Sequence, residues 1–412
     1  MAGSTRRSLI ALVVGNILGG VGVAAVFAVG TLLVASMGGP ALAGLGMALS
    51  VLGAGVAGVP LATLAARRGR RPALALGHAV AFTGAALVLV GAVVGSLAPL
   101  FVGLLLTGTA VTANLQSRYA AAELVEPSRR GTTMSVVIWA TTIGTVLGPN
   151  LIAPGADLAL ALGIPSLAGP FVFSLAAFGL ASIGVFALYS PSVHASAASS
   201  ATLGRPHVRG ALPALRWAMG RPVIRFSVVL LVLANMVMIG IMSMTPVHLD
   251  HSGHALTVVG LVLSLHVLGM FAFSPVFGWL ADRVGPMPTA LFGLVVLGVA
   301  AATAFIGGAV LPLTMVALFL LGLGWSASTI AASVLIGSVE ASDVRVPLQG
   351  AGDALMNYGG ATAALASGLV LASVGFAGLA LVAGVLVVPA ALVGAVAERA
   401  RRAAASSVGV GG

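Results

Sequence analysis

The sequence contains no cysteine and no lysine, and only 7% of its 412 residues carry a charge. Without cysteine there is no disulfide framework, no thiolate metal site and no sulfur nucleophile. Without lysine no Gly-x-x-x-x-Gly-Lys loop can cradle a nucleotide phosphate, which excludes ATP-driven pumping of that kind. The shortage of charge excludes more. A soluble domain carries about 25% charged residues, and a chain with so few cannot cover a globule of its size with polar surface. Instead 59% of the residues are apolar and the mean hydropathy is +1.15. Much of the surface must face lipid.

A helix needs about 20 apolar residues to cross the hydrocarbon of a bilayer. Runs of that length predict spans over 9–36, 41–65, 73–94, 99–122, 131–154 and 167–189, then 225–246, 256–280, 288–308, 311–338, 349–373 and 376–397. All are far longer than sheet strands. The first apolar run, Leu9 to Met37, exceeds the core of a signal peptide, about 7–15 residues, and is expected to stay as a span. One long polar interruption, 190–222, separates a half at 1–189 from a half at 223–412 with a short tail. It is Ser- and Ala-rich, then basic at Arg205, Arg209, Arg216 and Arg221. A flexible cytoplasmic linker is expected there, with a short surface helix near Ala211–Met219 that sets Trp217 at the interface.

The net charge of +10 could suggest a nucleic-acid partner, but the placement of the 19 basic residues, all arginine, explains it better. They lie at 6 and 7, 67 to 71, 118, 129 and 130, 205 to 225, 283, 345, and 399 to 402. With twelve spans and a cytoplasmic N-terminus, each falls at or near the cytoplasmic side. The opposite loops hold Asp157, Asp250 and several histidines instead. Retention of positive charge inside is the rule for short loops. The expectation is a multi-pass protein of the cytoplasmic membrane with both termini in the cytoplasm and no nucleic-acid partner. Short outer loops and an acid-free linker leave no obvious place for an enzyme's active site.

The halves carry a repeat. Leu64-Ala-Ala-Arg-Arg-Gly-Arg-Arg-Pro72 follows the second span and Leu280-Ala-Asp-Arg-Val-Gly-Pro286 follows the eighth, with Gly69 and Gly285 separated by 216 residues. Gly278-Trp-Leu-Ala-Asp-Arg-Val-Gly285 resembles the major facilitator signature, Gly-x-Leu-Ala-Asp-Arg-x-Gly-Arg-Arg. The first copy departs from it, with Ala62 at the leading glycine and Ala66 at the acid. The resemblance implies an all-α fold of twelve transmembrane helices in two pseudo-symmetric six-helix bundles, a midplane cavity exposed to each side in turn, no cofactor and a monomer. It also implies a cytoplasmic latch at Asp282, Arg283 and Gly285, with Gly69, Arg70 and Arg71 as its weaker copy. Asp282 can pair there with an arginine or a helix N-terminus.

Gly144-Thr-Val-Leu-Gly148-Pro149-Asn150 resembles the Gly-x-x-x-Gly-Pro antiporter motif of the fifth span, which implies drug/proton antiport and export. In physical terms, small residues four apart allow close helix approach and the proline bends the span. The arginine usual in the family's fourth span is replaced by Leu104. Trp139–Thr142 and Met244–His248 are similar to uncharacterised actinobacterial members, a likeness that supplies no substrate.

Polar residues inside spans must be satisfied or sit in a wet cavity, so they point to function. His266, mid-span, is either a proton carrier or a neutral ring bonded to a neighbouring serine or carbonyl. Asp353 is either a helix-start cap or a coupling acid, and Asn357 shares its helix face. Arg118 either snorkels to the interface or joins the coupling set. Glu123 is expected to pair with Arg118 or Arg129. Cavity-lining candidates are Asn16, Thr107, Asn114, Asn235, Met238, Met242, Trp325, Ser326 and Thr329, alongside His266. His248, Asp250, His251 and His254 after the seventh span form a weaker, metal-like alternative. The functional expectation is proton-coupled efflux of a small organic molecule, with a metal or nutrient carrier as the alternative. An impermeant labelling reagent applied outside intact cells should leave residues 205–225 unmodified, and labelling there would overturn the layout.

Overall fold

A computed structural model of the chain describes residues 2–39, 42, 45–190, 210–254, 256–308 and 310–409. Among them the structure is helical. The order is α1 (Ala2–Gly38), α2 (Leu45–Arg68), α3 (Arg70–Val94), α4 (Leu97–Ala122), α5 (Arg130–Asn150), α6 (Ile152–Leu162), α7 (Gly169–Leu188) and α8 (Ala211–Met219). Then come α9 (Pro222–His251), α10 (Leu256–Phe271), α11 (Ser274–Arg283), α12 (Pro286–Gly307), α13 (Leu311–Gly337), α14 (Ser342–Val385) and α15 (Val387–Gly409). Ten helical stretches among the described residues are long and apolar enough to cross a membrane. The last of them, Ser342–Ala403, has 62 residues, room for two crossings, and its helix is interrupted at Gly375 (φ 69°). The expected fifth span corresponds to α5, a helix of 21 residues.

Among the boundaries that differ from the sequence reading, three stand out. The eighth span is split at Ala272–Phe273 into α10 and α11, just ahead of Pro275, which has no amide hydrogen to continue the ladder. Residues 152–162, read as the end of a span and a loop, form α6, which packs on α7. The eleventh span begins at Ser342 rather than 349. Asp343 in its first turn complements the helix dipole.

The chain packs as two compact units. The first holds residues 1–126, 136–211 and 341–354; the second holds 127–135, 212–340 and 355–412. In the first, α4 lies against α2 and α3, and α7 against α1 and α3. One core cluster gathers Val26, Val29, Leu33, Val88, Leu100, Leu104 and Phe171. In the second, α13 lies against α9, α10 and α12, and it buries Leu318, Leu321 and Ile330.

Glycine sets the closest of these approaches, and it does so twice over. Gly108 of α4 meets α2 at Gly53, and Gly103 meets α3 at Gly84. In the second unit, Gly322 of α13 meets α10 at Gly269, and Gly324 meets α12 at Gly293. Gly53 and Gly269 stand the same 216 residues apart as Gly69 and Gly285. Lipid gives helices no hydrophobic reason to associate, so close backbone packing supplies the attraction instead. Gly69 (φ 88°) and Gly285 (φ 108°) also hold the left-handed backbone that begins α3 and α12.

A Cβ at Gly108 would overlap the Ser50 carbonyl oxygen and lie 2.6 Å from the Ala54 nitrogen, both backbone atoms that cannot rotate away. Gly108→Ala is expected to destabilise the protein by about 1–3 kcal/mol. Gly184→Ala, where nothing lies within 4 Å, should leave the thermal unfolding midpoint of purified protein almost unchanged.

Candidate functional site

The polar residues of the first unit concentrate on α4. Its last turns carry Gln116, Ser117, Arg118 and Tyr119, all buried. Arg118 is fully enclosed, at 0% exposure. Its Nη2 donates to Asp353 Oδ1 at 2.6 Å and to the Tyr119 hydroxyl at 3.0 Å. The guanidinium carbon also stands 4.7 Å from the Tyr119 ring centre. Asp353, likewise 0% exposed, is delivered by the opening turns of α14, which belong to the first unit. That approach depends on small residues: a Cβ on Gly58 of α2 would lie 2.9 Å from the Ala354 Cβ and 3.0 Å from the Gly350 carbonyl. Asp353 sits three turns inside α14, so it is not the helix-start cap that the sequence allowed.

A second cluster lies beside the first. Arg70 Nη2 donates to Glu123 Oε1 at 2.8 Å, and Arg70 also donates to Gln349. Gln349 precedes Asp353 by one helical turn, so one face of α14 meets two arginines of the first unit. The expected pairing of Glu123 with Arg118 or Arg129 is corrected: its partner is Arg70, which the left-handed Gly69 sets at the start of α3. Burial chiefly, and the Glu123 carboxylate second, raise the pKa of the nearby Tyr189 phenol, while Arg70 opposes them. Tyr189 is therefore neutral at physiological pH.

Further along the first unit, Asn16 of α1 donates to Ser117 and to the Leu12 carbonyl at 3.1 Å, and it accepts from Thr141 at 3.4 Å. Thr107 lies 3.5 Å from Ser50, and Gln116 donates to the Gly58 carbonyl at 3.1 Å. Asn114 packs over Gly19, its Oδ1 buried without a protein donor. Gly144 lies on α1, where a Cβ would overlap the Ile17 carbonyl. The placement of Gly148 and Pro149 beyond the backbone of α5 lies outside what the structure describes.

The second unit has a separate polar centre. Trp325 Nε1 donates to Asn235 Oδ1 at 3.0 Å, and Asn235 Nδ2 donates to the Met356 carbonyl at 2.9 Å. Phe271 stands edge-on to Trp325, with ring centres 5.9 Å apart at 82°. Met238 is buried on the same helix as Asn235, and Met242 follows one turn on, half-buried. The Ser326, Ser328 and Thr329 hydroxyls on α13 are buried without a protein partner. His266 is brought to none of these by a hydrogen bond. Its Nδ1 is 2.8 Å from the Leu318 carbonyl, and Nε2 has no protein partner.

The signature segment occupies the opening turn of another helix. Asp282 Oδ1 accepts from the Gly131 amide and Oδ2 from the Thr132 amide, each at 2.8 Å, and Oδ2 also accepts from the Thr132 hydroxyl at 2.8 Å. A carboxylate at a helix N-terminus answers otherwise orphaned amides and the positive end of the dipole. Gly278 and Gly131 permit the contact, since a Cβ on Gly131 would stand 2.6 Å from the Gly278 carbonyl. Arg283 is exposed, and Arg71 instead reaches the Phe186 carbonyl, with its guanidinium 4.5 Å from that ring's centre.

Of the metal-like set, His248 bonds the Gly308 carbonyl at 2.6 Å and stacks on Phe376 with ring centres 4.2 Å apart. The side chains of Asp250 and His251 lie outside what the structure describes, and no group of three potential ligands occurs among the described residues.

Two helical units, each with buried polar groups on its inner spans, define a polytopic membrane carrier. A family model for the Major Facilitator Superfamily matches residues 249–409. YdeG, an uncharacterised MFS-type transporter of Bacillus subtilis (strain 168), is 36% identical over 384 residues, covering 92% of this chain and 89% of YdeG. RfnT, a riboflavin transporter of Brucella anthropi, is 28% identical over 91% of this chain and 92% of its own. The crystal structure of FucP in its outward conformation shares the fold, with a TM-score of 0.77 at 14% identity, over 96% of this chain and 99% of that one. The chain belongs to the major facilitator superfamily. It is a transporter and not an enzyme.

Asp282→Ala removes three hydrogen bonds at the start of α5. The expected cost is about 0.5–2 kcal/mol, as for other helix caps, read as a lower unfolding midpoint of purified protein. Asp282→Asn should recover part of it.

Proposed function

We propose that this transporter is a proton-coupled exporter of a small organic molecule in the cytoplasmic membrane, with both termini in the cytoplasm and Arg118–Asp353 as its coupling pair. The observation that carries the reading is the complete burial of that pair at 2.6 Å. Removing one member of a buried pair leaves an uncompensated charge, at a cost of about 3–5 kcal/mol. Protonation of Asp353 has the same electrostatic effect, so a proton can switch the contact between α4 and α14. Export is favoured by the glycine-proline motif of α5, whose Gly144 lies directly on α1. Alternating access supplies the mechanism, since ligand and proton act by stabilising one of two global states over the other.

A nutrient carrier is the second reading, and the likeness to a riboflavin transporter favours it. An indole, a phenyl ring and a carboxamide gathered at Trp325, Phe271 and Asn235 suit a planar ligand that stacks and hydrogen-bonds.

Proteoliposomes with an imposed pH gradient test both, with riboflavin and a panel of lipophilic dyes as probes. Asp353→Asn should lower gradient-driven transport by roughly tenfold or more while leaving substrate exchange at zero gradient largely intact. Arg118→Gln should do the same. Wild-type rates in both variants would remove the pair from coupling, and uptake of riboflavin into right-side-out vesicles would favour the nutrient carrier.

A further inference from the structure

Helix α8 lies outside the membrane-spanning helices, yet it carries an apolar stripe on its open side. Leu212, Leu215 and Met219, at i, i+3 and i+7, share one face, with Leu212 at 59% and Met219 at 40% exposure. Ala214 and Ala218, on the adjoining face, are buried against the protein. The helix thus buries its alanines and leaves its larger side chains uncovered.

Charge names what covers them. Arg216 is exposed beside the stripe. Arg221 folds back on the helix, with its guanidinium 3.6 Å from the Trp217 ring centre and its Nη1 3.2 Å from the Trp217 carbonyl. Arg205 and Arg209 precede the helix in sequence, and from 158 to 249 there is no aspartate or glutamate at all. Cationic groups with no acidic residue near them in sequence, on a helix with an apolar stripe, match the two layers of an anionic lipid surface, phosphate above and acyl chain below.

We propose that α8 is an interfacial helix that seats anionic phospholipid, with Leu212, Leu215 and Met219 entering the acyl boundary and Arg216 and Arg221 meeting headgroup phosphate. The inference is independent of substrate, transport direction and coupling.

The absence of cysteine makes the test clean. Full-length protein carrying Leu212→Cys with a nitroxide label is placed in nanodiscs of phosphatidylcholine alone or mixed with phosphatidylglycerol. In the anionic discs, collisions of the label with oxygen should rise several-fold relative to collisions with a water-soluble nickel complex. Arg216→Gln combined with Arg221→Gln should abolish that difference. Should the double variant fail to fold, added salt should diminish the shift in the parent, because exposed charges are screened beyond about 10 Å at 0.1 M. Equal accessibility in the two lipids overturns the proposal. So does a label shielded from both probes in both discs, which would mean that protein covers the stripe.

Discussion

A charge inside a bundle solvated by hydrocarbon must be answered by another group, and this requirement organises the transporter's interior. Water cannot relax around Arg118 or Asp353, so the carboxylate is held ionised by the guanidinium and the guanidinium is compensated only while that carboxylate is charged. The geometry that brings them together is correspondingly strict. Gly58, Gly350 and Ala354 must be small for α14 to come close enough, and Tyr119 must fill the remaining side of the guanidinium. Arg70, Glu123 and Gln349 repeat the arrangement one turn away. Asp282 follows the same rule by another route, its counter-charge being the start of a helix rather than a side chain.

Outside these clusters the molecule is held by contact. Glycine pairs bring α4 onto α2 and α3, and their counterparts bring α13 onto α10 and α12. The two units share this device at matching places, so the repeat extends from the signature loops into the packing of the spans. The aliphatic residues that face outward, such as Leu160, Ile183 and Leu369, contribute solubility in lipid and little specificity.

Much of this fold was legible in the sequence, because length and hydropathy suffice to locate spans. The signal weakened where polarity and proline intervened: α6 contains Pro154, Gly155 and Asp157, and α11 opens beside Pro275. The candidate site was legible residue by residue but not as contacts. Arg118 and Asp353 each stood out as ionisable groups in apolar runs, yet 235 positions separate them and no local pattern records that distance. Elimination could have paired them, since few acids lie within the spans. The Glu123–Arg70 pair is hidden for a related reason: Arg118 and Arg129 are near in sequence, whereas Arg70 lies 53 positions away. Glycines are so frequent, at 56, that the ones forming crossings could not be told from the rest.

Because the chain uses arginine for every cation, none of its positive charges can be surrendered to solvent at any physiological pH. A lysine opposite Asp353 could give up its proton and become a tolerable neutral amine in oil. The guanidinium of Arg118 has no such escape. Whatever event discharges the aspartate leaves a permanent cation stranded among apolar neighbours, and the surrounding helices must then supply it with water or another anion.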